Sequence, residues 1–337
     1  MTIGEIKRMT NSEQYEFLRT NPHLKDKIIF LTLGGSYAYG TNVETSDVDI
    51  RGCALNSRSD ILGFTNFEQF VNEETDTTIY GFNKLINLLI NCNPNTIELL
   101  GCKPEHYFMI SEIGAQMIEN RKMFLSQRAV NSFGGYATQQ LRRLQNALAR
   151  DHMPKAQKEE HIKGALERSI QAFGDRYTSF ENGGIELLVP NGDDGEVCCN
   201  IHIDKYPARE LETLLSKLSS VVGSYTKLLN HRNRKKDDAH LNKHAMHLVR
   251  LYLMCLDILE KEEIYTYREK DRKFLLSIRD GAFQNEDGTY RSEFFEMIND
   301  LEKRLNYAKE NTSLPPHPDM NRIEEFVISV NKEAAGV

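Results

Sequence analysis

Two aspartates separated by one residue, Asp47 and Asp49, are the clearest candidates for chemistry in this sequence. On a β-strand alternate side chains share a face, so we expect both carboxylates to point the same way. Two carboxylates on one face repel each other unless a cation lies between them. A hard divalent cation such as Mg²⁺ takes oxygen ligands, so the spacing predicts a metal site. The alternative is a turn at a strand edge that carries two solvated acids.

A glycine turn precedes the aspartates. Gly34, Gly35 and Ser36 follow the apolar residues 28–33, which have the pattern of a buried strand. We expect a short helix over residues 36–40, so that backbone N–H groups and the serine hydroxyl form an anion site. An anion site beside paired metal ligands is typical of phosphoryl or nucleotidyl transfer. The alternative is that the glycines only turn the chain.

A third carboxylate is needed if the site holds two metal ions about 3.5–4 Å apart. Asp76 opens the next predicted strand. We expect it to be the third metal ligand and the general base for an attacking hydroxyl. Glu73 and Glu74 are rivals, because strand boundaries predicted from a sequence are uncertain by a few residues.

Two basic residues could take part in the same chemistry. Arg51 lies on the predicted strand face of Asp49, where it could bind a triphosphate or only neutralise the acids. Lys84 begins a predicted helix over residues 84–90, where it could reach phosphate or be a solvated lysine. The sequence leaves both alternatives open.

A second group of polar residues lies within residues 240–253. On a helix its members form one stripe, at i, i+3, i+4, i+7 and i+10. They are His240, Lys243, His244, His247 and Arg250. Histidines at i and i+4 could share zinc, but there is no HExxH arrangement, and the two cations on the stripe oppose a bound metal. We therefore expect a cationic stripe that meets phosphate; the alternative is a helix whose histidines order the domain core.

A basic run over residues 231–236 lies just before this stripe. It is either a solvated helix end or an electrostatic contact for a nucleic-acid backbone. A formal net charge of −7 argues against a protein that coats nucleic acid without specificity, although it allows local basic patches.

The composition bounds the class of protein. A chain of 337 residues is ordinarily expected to form two domains. No apolar run approaches the roughly 20 residues of a membrane span, and the N-terminal residues lack the apolar core of a signal peptide. The six cysteines form no CxxC pair, which predicts reduced thiols in a cytoplasmic protein.

The elements that must position these groups form two parts. The first part fits a small mixed sheet with helices. Its strands are predicted over residues 28–33, 47–55 and 76–80. From about residue 127 the pattern changes to long helices, interrupted by a β-hairpin around residues 191–195. We therefore predict an α+β protein with a catalytic domain over residues 1–120 and a helical substrate-binding domain over residues 121–337.

The glycine turn and the aspartate pair together resemble the nucleotidyltransferase superfamily typified by DNA polymerase β. The fuller set of motifs resembles the branch called the RNA-repair-pathway DNA-polymerase-β-like family, several of whose genes lie beside RNA ligases. The matching segments are GGSYAYGTNVETSDVDIRG, DTTIYGFNKLINLLINCNPNTIELL, GGYATQQLRRL, LNKHAMHLVRLYLMCLDIL and LLSIRDG. The first segment is specific for the superfamily, whereas NPNTIELL and KHAMHLVRL favour this branch.

The resemblance implies a palm-like domain followed by a helical domain, with Mg²⁺ or Mn²⁺ as cofactor and ATP or another NTP as donor. It implies Asp47, Asp49 and Asp76 as the metal ligands. The predicted nucleotide-binding residues are Gly34, Gly35, Ser36, Arg51 and Lys84, with Ser36 on the triphosphate. Two helices would line the cleft opposite. Their predicted substrate-binding residues are Gln140, Arg142, Lys243, His244, His247 and Arg250.

The sequence leaves three functions open. The first is transfer of NMP from an NTP to an RNA hydroxyl, at a tRNA-like or damaged end, in RNA repair with an RNA ligase as partner. The second is transfer of NMP to a hydroxyl side chain of a protein, as in minimal nucleotidyltransferases of toxin–antitoxin systems. The third is a non-catalytic nucleotide- or RNA-binding partner of a ligase, against which the three intact acids argue. We expect the first, a Mg²⁺-dependent enzyme of EC 2.7.7 type.

Overall fold

A computed structural model of the protein describes residues 1–152, 155–174, 183–189, 196–203, 207–229 and 238–337. These residues form two compact units. The first unit comprises Met1–Gln140, Ala245–Ala282 and Ser292–Val337, and the second comprises Leu141–His244 and Phe283–Arg291. The predicted hairpin turn at 191–195 and the basic run at 231–236 lie outside the described residues.

A mixed five-stranded sheet is the centre of the first unit. Its strands are β1 (Ile28–Leu33), β2 (Ile50–Ala54), β3 (Gln69–Asn72), β4 (Thr77–Gly81) and β5 (Tyr107–Ile110). Across the sheet the order is β3-β4-β2-β1-β5; β2 and β4 are parallel, and the other neighbouring pairs are antiparallel. Every residue of β1 is buried, as its apolar sequence predicts. The α+β class and the small mixed sheet are thereby confirmed.

Helices cover the sheet and form most of the rest of the described chain. In order they are α1 (Ile3–Met9), α2 (Phe17–Thr20), α3 (Gly35–Tyr39), α4 (Arg58–Leu62), α5 (Phe82–Ile90), α6 (Pro94–Ile97), α7 (Glu112–Glu119), α8 (Arg128–His152), α9 (Lys155–Gly174), α10 (Ala208–Leu229), α11 (Asp238–Lys261), α12 (Arg272–Arg279), α13 (Ser292–Asn311) and α14 (Met320–Ala335). In the first unit α5 packs against β2 and β4, and α7 packs against β1. Among the helices described, none is long and apolar enough to cross a membrane.

Some strand predictions are wrong at their boundaries. β2 begins at Ile50 rather than Asp47, so both aspartates precede the strand instead of lying on it. β4 begins at Thr77, so Asp76 also precedes its strand. The sequence does not predict β3 and β5, because both are edge strands whose partly exposed residues show no clean apolar alternation.

The C-terminal part of the chain returns to the first unit through the second half of α11 and through most of the residues that follow it. α14 packs against α4, where Nη1 of Arg58 donates to the carbonyl of Ala335 at 3.1 Å. The rings of Phe82 and Phe326 meet edge to face, with centroids 6.0 Å apart. The compact units therefore follow a different division from the predicted boundary near residue 120. The assignment of catalysis to residues 1–120 and of substrate binding to 121–337 stays a prediction.

The second unit contains α9, α10 and an antiparallel hairpin of β6 (Gly183–Leu188) and β7 (Cys198–Ile203). The hairpin packs against α9, which packs against α10. A small apolar cluster joins these elements. Its members include Ile162, Leu166, Leu187 and Leu218. The described part of this unit is therefore mainly helical with one hairpin, as predicted.

Candidate active site

The ends of three strands meet at one edge of the sheet in the first unit. The last residue of β1 pairs with Ile50, the first residue of β2, and Ile50 pairs in parallel with the first residue of β4. The residues adjoining these pairs, Gly34, Asp49 and Asp76, are therefore neighbours. The Gly34 N–H donates to the carbonyl of Asp49 at 2.8 Å, and the Ile50 N–H donates to the carbonyl of Asp76 at 3.1 Å.

The glycine turn is closed against the side chains of β2 and of the residue before it. Gly35 has a φ of 54°, and a Cβ on it would lie 1.9 Å from Oδ2 of Asp49. A Cβ on Gly34 would lie 2.7 Å from Cγ of Arg51. Both distances are shorter than any non-bonded contact allows. The glycines therefore do more than turn the chain, because they let the backbone approach an acid and an arginine.

Arg51 lies between the two acids and holds both. Its Nη2 donates to Oδ1 of Asp49 at 2.9 Å and to Oδ1 of Asp76 at 3.0 Å. Its Nη1 donates to the carbonyls of Ile50 and Asp76. The Arg51 side chain is 21% exposed, Asp49 20% and Asp76 54%. Arg51 therefore forms ion pairs with both acids in this structure, and its role toward a triphosphate stays a prediction.

Asp76 has an unusual backbone conformation. Its φ of 43° lies in the left-handed region, which few residues other than glycine adopt and which aspartate tolerates better than most. In this conformation its carbonyl accepts the Ile50 N–H, while its carboxylate accepts from Arg51. The turn before β4 therefore directs two acceptors of one residue toward β2, which the sequence did not indicate.

The donor chemistry at this edge fits a hard cation. One carboxylate oxygen of Asp49 and one of Asp76 converge on a single cationic nitrogen of Arg51, within 3.0 Å. Asp47 is exposed, as are the rival acids Glu73 and Glu74. Within the described residues, no three side chains of His, Cys, Asp or Glu are grouped so that they could hold a metal ion. The three-acid metal site stays a prediction.

The helix that follows the glycine turn, α3, is held at its C-terminal end by residues that the sequence analysis missed. Nε of Arg272 donates to the carbonyl of Gly40 at 2.6 Å, and Nη1 of Arg279 donates to the carbonyl of Thr41 at 2.8 Å. Cations are favourable where helix carbonyls lack partners. The one available signal was the motif LLSIRDG, which contains Arg279.

Ser36 and Lys84 lie on different helices of the first unit. Ser36 is partly buried in the first turn of α3, directly after Gly35. Lys84 lies in the first turn of α5, where its Nζ pairs with a carboxylate oxygen of Glu68 at 3.2 Å. These two charged side chains are 36% and 56% exposed, so their ion pair is weak and can be exchanged. Their roles toward a nucleotide stay predictions.

Arg250, predicted to meet a substrate phosphate, is buried in the first unit. Its Nη1 lies 3.3 Å from Oε2 of Glu98, and its guanidinium lies 3.6 Å above the ring centroid of Tyr39. The Tyr39 hydroxyl donates to both oxygens of Glu98, at 2.7 and 2.8 Å. Burial raises the pKa of the Glu98 carboxyl and also raises the pKa of Tyr39. Arg250 therefore contacts Glu98 and Tyr39 inside the first unit. Its role as a substrate ligand stays a prediction.

The other predicted substrate-binding residues differ in exposure. Lys243 is exposed, whereas the remaining four are partly buried. Those four are Gln140, Arg142, His244 and His247. The compact units divide the predicted set, since Gln140, His247 and Arg250 belong to the first, and Arg142, Lys243 and His244 to the second. Their joint role stays a prediction.

The fold and the closed glycine turn agree with the class that the motifs indicate, a polymerase-β-like nucleotidyltransferase. Residues 3–163 match the model of the RNA repair pathway DNA polymerase beta family, RlaP. The match covers the whole sheet and the glycine turn and extends into α9. No curated protein and no solved structure matches the chain.

Proposed function

We propose that this protein is a Mg²⁺- or Mn²⁺-dependent nucleotidyltransferase that moves NMP from an NTP to a hydroxyl at an RNA end. The new phosphodiester bond forms as the α–β phosphoanhydride bond breaks, and pyrophosphate leaves. The observation that carries the proposal is the closure of the Gly34–Gly35 turn on Asp49. A Cβ at Gly35 would overlap the Asp49 carboxylate, so the backbone of the turn lies directly against that acid. A turn of this kind places a potential phosphate-binding backbone next to a potential cation ligand.

The residues have distinct proposed roles. Asp49 and Asp76 would hold the cation, together with Asp47 from the exposed segment before β2. When bound, the cation supplies Lewis-acid chemistry and lowers the pKa of the attacking hydroxyl. Ser36 and the turn N–H groups would orient the triphosphate, and Lys84 could exchange its surface partner for a phosphate. The carboxylate of Asp76, 54% exposed, can receive the proton of the acceptor hydroxyl as general base.

An RNA acceptor is supported by the family description, which names an RNA repair pathway. We therefore propose an RNA end as acceptor and an RNA ligase as functional partner. A hydroxyl on a protein side chain is the competing acceptor, and it is an outcome of the same experiment.

The test is a labelling reaction. The full-length protein is incubated with each α-labelled NTP, Mg²⁺, total RNA and total protein, and the label is followed into both polymers. We expect label in RNA, and we expect Asp49→Asn to reduce it by about a hundredfold or more, because several kcal/mol of transition-state stabilisation depend on the cation. Arg304→Met is the control for loss of a surface charge, since Arg304 forms a surface ion pair with Glu260.

Each result of this experiment decides between the functions. If label enters only protein, the acceptor is a protein hydroxyl and not an RNA end. Absence of label in both polymers supports a non-catalytic partner of a ligase. Labelling that is unchanged in both Asp47→Ala and Asp49→Ala would remove this site from the chemistry.

A further inference from the structure

The guanidinium of Arg51 lies at the point where Asp49 and Asp76 converge. One nitrogen, Nη2, donates to both carboxylates, at 2.9 Å to Asp49 and 3.0 Å to Asp76. The other terminal nitrogen is used by the carbonyls of Ile50 and Asp76. A cation that binds the same two carboxylate oxygens needs the same place. The guanidinium and such a cation therefore exclude each other.

The stem of Arg51 lies along the glycine turn. A Cβ on Gly34 would lie 2.7 Å from Cγ and 3.6 Å from Nε of Arg51, so only glycine leaves space for this path. If the guanidinium leaves the acids by rotation about its outer bonds, the stem keeps it beside the turn. The proposed function places the triphosphate on that turn. Guanidinium groups bind phosphate oxygens through paired N–H donors.

Because the ion pairs of Arg51 are partly exposed to water, their separation costs little free energy. Arg51 and Asp49 are about one fifth exposed and Asp76 is more than half exposed. Ion pairs in contact with water contribute little to stability, because each charge is solvated when the pair separates. Arg51 brings one positive charge to two carboxylates, whereas a divalent cation brings two. A divalent cation would compensate both and release the guanidinium for a second anion.

We propose that Arg51 is an exchange residue that couples cation binding to nucleotide binding; the inference rests on the proposed function. In the absence of a divalent cation its guanidinium holds Asp49 and Asp76 together. When the cation binds these acids, the guanidinium moves to the phosphates of the donor nucleotide. Neutralisation of the acids and binding of the triphosphate, the two roles open from the sequence, are then successive states of one side chain. Because coupling between ligands is reciprocal, each must increase the affinity for the other.

The experiment measures cation binding directly, without turnover. Mn²⁺ is titrated into the full-length protein with and without α,β-methylene-ATP, and free Mn²⁺ is followed by its electron paramagnetic resonance signal, with a blank for Mn²⁺ bound by the analogue itself. We expect the analogue to tighten Mn²⁺ binding to the wild type by about tenfold or more. Arg51→Met should bind Mn²⁺ alone about tenfold more tightly than the wild type, and should lose most of the coupling.

Two further variants complete the design. Arg51→Lys keeps the charge but lacks the planar fork, so both its Mn²⁺ affinity and its coupling should lie between those of the wild type and Arg51→Met. If Arg51→Met folds poorly, Arg51→Lys still tests whether the exchange depends on the guanidinium. Arg304→Met, the matched surface arginine, should behave as the wild type.

The outcomes separate the two proposals. If the wild type binds Mn²⁺ but Arg51→Met binds it no more tightly, or keeps the full coupling to the analogue, the exchange is overturned while the proposed function stands. If the wild type binds no Mn²⁺ with or without the analogue, the proposed function is overturned and the exchange with it.

Discussion

Two arginine–carboxylate clusters in the first unit contain the same chemical groups but differ in their exposure to solvent. In the open cluster, Arg51 pairs with Asp49 and Asp76, and these side chains are between 20% and 54% exposed. In the buried cluster, Arg250 pairs with Glu98, and the two are 6% and 7% exposed. Separation of a buried pair leaves an unsolvated charge, whereas separation of an exposed pair does not. The open cluster can therefore exchange its ion-pair partners, whereas the buried cluster stabilises the fold.

The short helix α3 connects the two clusters. Its first residues form the glycine turn that contacts Asp49 and Arg51. Its last residue, Tyr39, lies against Arg250 and donates to Glu98. A rigid contact at one end of a helix keeps the other end in place while its ligands change. Similar ion pairs are therefore suited to support or to exchange according to their access to water.

The largest effect should come from removal of the buried arginine. Arg250→Met leaves the Glu98 carboxylate without its cationic partner, so we expect the free energy of unfolding to fall by about 3–5 kcal/mol. Urea denaturation followed by circular dichroism measures this change. Arg51→Met is the matched variant in the open cluster and should cost at most about 1 kcal/mol. Equal losses in the two variants would contradict the distinction between the clusters.

A glycine substitution should harm the open cluster through geometry. Gly35→Ala places a methyl group in the space of the Asp49 carboxylate, and its φ of 54° is unfavourable for alanine. Displacement of a reacting group by about 1 Å can cost about a hundredfold in rate, and we expect a loss of this size in nucleotidyl transfer. Gly134→Ala is the control, because nothing lies within 4 Å of its Cβ position. A fully active Gly35→Ala would show that close approach to Asp49 is not required.

Removal of one hydroxyl tests the buried cluster more finely. Tyr39→Phe takes away the donor to both oxygens of Glu98 and leaves that buried carboxyl less well satisfied. The expected loss of unfolding free energy is about 1–3 kcal/mol. Tyr37→Phe on the same helix provides the comparison in thermal and urea denaturation. If the two variants are equally stable, the hydroxyl of Tyr39 does not support the cluster.

The smallest effect concerns pH. Burial lowers the pKa of His106 from its ordinary value of 6.5, and the ring of His106 lies 5.8 Å from that of Tyr267. As the pH falls below 6.5, His106 takes up a proton in the unfolded chain before it does so in the folded protein. Protonation therefore favours the unfolded chain, and the free energy of unfolding decreases as the pH falls from 6.5 toward the lowered pKa of the folded protein. The loss should be about 1 kcal/mol for each unit by which the pKa is lowered.

Unfolding free energies at pH 7.5 and 5.5 measure this contribution. His106→Asn should lose less stability between the two pH values than the wild type does, whereas His317→Asn, at an exposed position, should follow the wild type. A His106→Asn variant with the wild-type pH dependence would rule out this histidine as the source.

The sequence by itself determined the parts that depend on local order. The buried strand β1, the glycine turn and the long helices follow from apolar periodicity and from glycine and proline positions, which act over a few residues. The α+β class and the hairpin in the second unit followed from the same patterns. The motifs also indicated the family whose model matches residues 3–163, because they are contiguous segments that can be compared without coordinates.

Only the tertiary structure decided which distant residues meet. Parallel pairing of Ile50 with Thr77 brings Asp76 beside Asp49, and no local signal specifies that register. Arg250 is separated from Glu98 by 152 residues, and Arg272 from Gly40 by 232. A polar stripe on one helix cannot show whether its arginine will face water or a buried acid. That choice depends on the neighbouring elements, and it separates the support provided by Arg250 from the exchange proposed for Arg51.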